Sequence, residues 1–248
     1  SKRELLERVI REAERVLKEW EDLLRELTET SDRVIRDVER LLRELLRKAE
    51  EVIKDILRKS DDEELRKLLK RVRELLKELA DILKRLVDEH RRLVEENIRI
   101  VRTAIELVKE LLKRLADLLE SGLPREDLTR EVEKVLRELE EIVKKVKRDS
   151  ERIVEDNRRL SEELRRLVEE ILERLRRLVD DLIKKKDKDE DLKRVLERLT
   201  RVAEEILELL EEVLKKSNRS LEKAVEANAE ALDRLIEVLR ELLDDLRK

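Results

Sequence analysis

The chain has no cysteine, methionine, phenylalanine, tyrosine or glutamine, and glycine, proline, tryptophan and histidine occur once each. Without cysteine there is no disulfide framework, no thiolate metal site and no thiol nucleophile, and the redox compartment is left open. Charge of one sign is also lacking. The 63 basic and 67 acidic residues are interspersed along every segment, for a net charge of −4. Such a chain projects no field that would recruit nucleic acid or an anionic membrane. The missing basic face and the lone aromatic, Trp20, also disfavour a lipid-surface, BAR-like bundle. Long apolar runs are absent too. Charges interrupt every segment far short of the roughly 18 apolar residues that a spanning helix needs, and no signal-type stretch is seen. The expectation is a soluble protein.

What remains is a short alphabet: 52% of the residues are charged and 40% hydrophobic. A chain about half built from Ala, Glu, Lys, Leu and Arg belongs with coiled coils and long helices. Disorder would require few large aliphatics, whereas Leu, Ile and Val recur here without a gap.

The apolar residues step by three or four along the chain. In the first segment they run Leu6, Val9, Ala13, Val16, Trp20, Leu24 and Leu27, then Val34, Val38, Leu41, Leu45, Ala49, Val52 and Ile56, with Ser31 filling the one gap. The same pattern holds from Leu65 to Leu119, Leu128 to Ile183 and Leu192 to Leu246, and it predicts amphipathic helices. Stripes of about three apolar residues per heptad, such as Leu68, Leu69 and Val72, are those of a bundle core. Capping boxes mark three helix starts at Ser1 with Glu4, Asp61 with Glu64, and Asp187 with Glu190. The fourth is marked by SGLP, where Gly122 can end one helix in the left-handed conformation and Pro124 can begin the next.

These signals predict helices over about 2–59, 62–121, 124–185 and 188–247, joined by short turns that make sequential helices antiparallel neighbours. The expected fold is all-α: a single domain over 1–248, an up-down-up-down four-helix bundle, a coiled-coil-like rod with helices of nearly 60 residues. On its outer faces, Glu140 and Glu141 precede Lys144 and Lys145 by four residues, the favourable orientation for helical ion pairs.

Polar residues on the apolar stripes are the exceptions that bear on function. With helix ends matched across the turns, Ser31, His90, Asn157, Ser217 and Asn218 fall within about three residues of one another in height. Asn97 and Asn228 share a second height, with Ser150 close by. A buried amide or hydroxyl left unpaired costs roughly 1 to 3 kcal/mol, so groups clustered in this way are expected to satisfy one another. Their use is specificity, because a polar layer penalises any register that leaves a partner unmatched.

Chemical roles fit the same residues less well. A zinc site needs three or four ligands, and a di-iron bundle needs Glu-x-x-His, whereas Val87 stands three residues before His90. Ser31, His90 and a carboxylate could be drawn as a catalytic triad, but no carboxylate lies on the stripes and no loop offers an oxyanion hole. Trp20 continues the core stripe and reads as packing. The expectation is no catalytic residue, no metal, no cofactor and no small-molecule substrate.

The short alphabet, the four matched helices, the Gly122–Pro124 turn and the Ser, His and Asn layers resemble de novo designed helical bundles with buried hydrogen-bond networks. The resemblance covers the whole chain, in style and not through a diagnostic motif. It implies that Ser31, His90, Asn97, Asn157, Asn218 and Asn228 are network members. It also implies a designed structural scaffold that requires no partner, or alternatively a binding module. The latter draws on residues 94–112, VEENIRIVRTAIELVKELL, and 225–243, VEANAEALDRLIEVLRELL, which share a pattern and carry wide apolar faces. Ile98, Ile100 and Ile105 widen one, and Ala224, Ala227, Ala229 and Ala231 the other. Close packing around a narrowed core explains these faces. Self-association, or a designed protein partner, is the other reading.

Overall fold

The computed structural model describes residues 2–185 and 189–248. They form four helices, α1 (Lys2–Lys59), α2 (Glu63–Glu120), α3 (Arg125–Lys185) and α4 (Glu190–Arg247), and among the described residues there is no strand. The protein is an all-α four-helix bundle, and the expected boundaries hold to within two residues.

Local chemistry accounts for the helix ends. Gly122 adopts φ of 63° and is the only described residue with positive φ, as a left-handed C-terminal residue requires. Pro124 stands just outside α3 and not at its first helical position: its carbonyl accepts the N–H of Leu128 at 2.9 Å. At the start of α2 the cap is Asp62 and not the expected Asp61. The Asp62 carboxylate accepts the Glu64 N–H at 3.0 Å, and its carbonyl accepts the Arg66 N–H at 3.0 Å. Adjacent aspartates fit the spacing rule almost equally well, and backbone geometry selects between them. The boxes at Ser1 and Asp187 lie outside the described residues; the α4 start instead shows the Asp189 carbonyl accepting the Lys193 N–H at 3.1 Å.

Arginines close two helix C-termini from a neighbouring helix start. Arg125 donates through Nε to the Leu246 carbonyl at 2.5 Å and through its guanidinium to the Asp245 carbonyl at 3.1 Å. Arg66 donates to the Leu57 carbonyl at 3.3 Å. Each places a cation on the carbonyls that a helix end leaves without partners.

Each helix contributes to two compact units. The first comprises residues 1–30, 92–156 and 219–248. Its core draws on Leu6, Trp20, Val101, Leu115, Val132 and Leu232, all nearly inaccessible. Cross-helix ion pairs give the ring order. Lys109–Glu21 joins α2 to α1, Arg114–Glu138 joins α2 to α3, Arg247–Glu133 joins α4 to α3, and Arg234–Glu19 joins α4 to α1. Thus α2 and α4 face each other diagonally across this core.

The second unit comprises residues 31–91 and 157–218. It is centred on residues such as Ile53, Val72, Leu79, Val168 and Leu210. Arg73–Glu50, Lys185–Glu64 and Arg165–Glu211 bridge α1 to α2, α2 to α3, and α3 to α4. All these ion pairs are largely exposed, so solvent screens them and they add little to stability. Apolar burial stabilises the units far more, at roughly 1.5–3 kcal/mol for each fully buried large aliphatic side chain.

In the second half of α1 the buried stripe runs through Ile35 and Ile53, whereas Val34 and Val52 are half-buried and Leu41 is exposed. Where two apolar residues adjoin, a step of three or four can follow either, and Ser31 fixes the phase by opening the sequence Ser31, Ile35, Val38. The outer pairs also differ from expectation. Lys144 lies 3.6 Å from Glu141, three residues before it, while Glu140 reaches Arg240 of α4 at 3.5 Å.

Candidate functional site

Seven of the eight polar residues singled out in the sequence are buried: Ser31, His90, Asn97, Ser150, Asn157, Ser217 and Asn228; Asn218 is half-buried. Helical periodicity places them there, since each occupies a position at which the stripe would otherwise carry an aliphatic side chain.

In the second unit, His90 on α2 stands between two hydroxyls. Its Nε2 is 3.2 Å from Ser31 Oγ on α1, and its Nδ1 is 2.5 Å from Ser217 Oγ on α4. A neutral imidazole offers one donor and one acceptor, and a rotating hydroxyl can complement either, so both ring nitrogens are satisfied in either tautomer. The bonds tie α1, α2 and α4 together, the α2–α4 contact running across the core. Burial holds the imidazole pKa down, from 6.5 to about 4, because the cation loses its hydration.

A second hydrogen-bonded group in this unit joins α3 to α4. Asn157 donates through Nδ2 to Asn218 Oδ1 at 2.5 Å, and Ser161 Oγ approaches the same oxygen at 3.5 Å. Ser161 was not singled out in the sequence, although it lies one helical turn from Asn157 and on the same face. Asn157 Oδ1 has no hydrogen-bond partner among the described residues.

In the first unit, Trp20 on α1 donates through Nε1 to Asn228 Oδ1 on α4 at 2.9 Å, and Asn228 donates through Nδ2 to Asn97 Oδ1 on α2 at 3.2 Å. Trp20 is therefore more than the packing residue expected from the stripe. Its height, close to that of Asn228, was the available signal; the direction of the indole N–H depends on a rotamer that spacing does not encode. Ser150 does not join this group: its Oγ is buried and has no partner among the described residues.

The Ser31–His90 pair has a separation compatible with a nucleophile and base. The position that would orient such a base is taken by the Ser217 hydroxyl and not by a carboxylate. An imidazole with its pKa near 4 is a weak base at neutral pH, and Ser31 and His90 are only 4% and 5% exposed. Among the described residues no cluster of three or more His, Asp or Glu side chains is arranged to hold a metal ion, and no helix is long and apolar enough to cross a membrane. Comparison with protein-family models, curated proteins and solved structures returns no match for this chain.

Proposed function

We propose that this chain is a de novo designed structural scaffold, a self-contained helical module whose buried polar side chains select one helix pairing and register. The observation that carries the reading is the pair of three-helix polar groups, Ser31–His90–Ser217 and Trp20–Asn228–Asn97, each set among aliphatic residues. An aliphatic core is permissive, because a slip along a leucine stripe replaces one leucine contact with another. Moving Asn228 by one turn would strand an amide and an indole N–H, at roughly 1 to 3 kcal/mol for each group. The mutual pairing of Ser31, His90 and Ser217 leaves their polar atoms directed at one another and not at a substrate. The short alphabet and the agreement of patterning with capping support a designed origin.

A binding module is the second reading. Leu107 is 39% exposed, and Ile98 and Ile100 are half-buried on the same helix, so part of the wide face of α2 reaches the surface. Close packing accounts for Ile105, Ala224 and Ala231, which are buried, while Ala227 and Ala229 are half-buried. Light scattering coupled to size exclusion tests the proposal. A mass equal to the 29.9 kDa of one chain is expected of a self-contained scaffold, and an integral multiple would favour the module.

A further inference from the structure

The seam between α2 and α3 in the first unit is open at the level of Ala104. A groove of about 630 Å³ opens there, floored by Ile100, Ala104, Leu107, Ile142 and Val146. Ala104 makes the room, because a small side chain stands where neighbouring turns carry isoleucine or leucine. The volume lies within the roughly 300–1,000 Å³ range of small-ligand sites.

The charges around this floor are unbalanced. Arg99 on α2 and Lys144, Lys145, Arg148 and Arg152 on α3 line the groove, against Glu96, Glu141 and Asp149. Glu141 is engaged by Lys144 at 3.6 Å, and Asp149 by Arg152 at 3.9 Å. That leaves Arg99, Lys145 and Arg148 with no ion partner among the described residues, and Glu96 as the one carboxylate equally unengaged. The α2–α3 ion pair of this unit, Arg114–Glu138, lies beyond the groove, whose own rim carries no cross-helix pair among the described residues. Here cations stand on both banks of an apolar trough.

We propose that this groove binds a single-chain anionic amphiphile, with its aliphatic tail over Ile100, Ala104, Leu107, Ile142 and Val146 and its anionic head between Lys145, Arg148 and Arg99. A second copy of the chain is a poorer occupant, because a symmetric contact would set these cations against their equivalents. A docked helix is also a poorer fit, since a stable protein interface buries more than about 1,000 Å², well beyond a floor of five side chains. Hydrophobic contact supplies the attraction along the tail, and the unpaired cations fix its polarity.

Isothermal titration with dodecanoate, kept below its micellar concentration, tests the proposal against dodecyltrimethylammonium, which carries the same tail with the opposite charge. One dodecanoate per chain is expected, binding at least tenfold more tightly than the cationic probe. Contacts from its methylene protons to the Ile100 and Ile142 methyls are expected in NMR. The exposed-site variants Lys145→Glu with Arg148→Glu, and separately Leu107→Glu, are expected to keep their helical spectrum and weaken dodecanoate tenfold or more. Equal affinity for the two probes, many equivalent sites, no binding, or indifference to these variants overturns the proposal. A dimer that Leu107→Glu dissociates would assign the groove to a second copy and also overturn it. Co-sedimentation with anionic vesicles, lost in the double charge variant, would do the same by assigning it to a membrane surface.

Discussion

Acidification perturbs one buried group of this bundle in a calculable way. The His90 imidazole has a pKa of about 4 in the folded chain against 6.5 when free of the fold, and burial is the cause. The lowered folded value sets the sign. Well above 6.5 the ring is neutral in both states, and its protonation does not affect stability. As the pH falls below 6.5 the unfolded chain takes up a proton that the folded chain resists, so stability declines until the pH has fallen past about 4, below which both states are protonated. At about 1.4 kcal/mol for each pH unit between the two pKa values, the loss comes to about 3 kcal/mol. Breaking the serine contacts is not the source, because both hydroxyls can accept from a doubly protonated ring. Carboxylates titrate in the lower part of the same window, so the assay is a difference: guanidinium unfolding of the parent and of His90→Gln across the pH series. The parent should lose about 3 kcal/mol relative to the variant between the two pKa values. An NMR titration of the single imidazole supplies the midpoint directly. A midpoint at or above 6.5, or a pH-independent difference, would refute a neutral, desolvated His90.

Three further substitutions follow from the same contacts. Ser150→Ala removes a buried hydroxyl with no partner among the described residues, so chemical denaturation should show unchanged or higher stability, and a loss above about 1 kcal/mol would contradict its placement. Asn218→Ala strands the Asn157 amide nitrogen and should cost about 1–3 kcal/mol in the same assay. Gly122→Ala should cost about 1 kcal/mol in thermal unfolding; nothing lies within 4 Å of the added methyl, so the cost is the positive φ alone.

The elements most legible in the sequence were those fixed by repetition. Four helices follow from a step of three or four that never lapses for long, and one turn follows from Gly122 beside Pro124. Matching heights across antiparallel helices placed Ser31, His90, Asn157, Ser217 and Asn218 at one level, and Asn97 with Asn228, because rise per residue is the same in every helix; that level divides into two groups, Ser31–His90–Ser217 and Asn157–Asn218 with Ser161. Features decided by side-chain direction were less legible. Trp20 stood on the right stripe at the right height, yet its indole N–H could have pointed elsewhere. Ser150 and Ser161 also occupy stripe positions, and only Ser161 reaches a partner. The choices between Asp61 and Asp62, and between Val34 and Ile35, turn on a single residue of phase. The α2–α3 groove depends on which rim charges pair with each other, which composition cannot tell.

Whether the buried polar side chains act as matched sets is decided by a double-mutant cycle on Asn97 and Asn228. Asn97→Leu leaves the Asn228 Nδ2 donor without its acceptor, and Asn228→Leu strands both the Asn97 oxygen and the Trp20 N–H. In the double variant the Asn97–Asn228 pair is replaced by two leucines, and the stranded Trp20 N–H is common to both sides of the cycle. The double variant is expected to be more stable than the sum of the two single losses implies, by about 1–3 kcal/mol. Broader methyl resonances are also expected around Leu93 and Leu221 in the double variant, as a less specified core samples more than one packing. Additive losses, agreeing within about 0.5 kcal/mol, together with an equally sharp spectrum would contradict such matching.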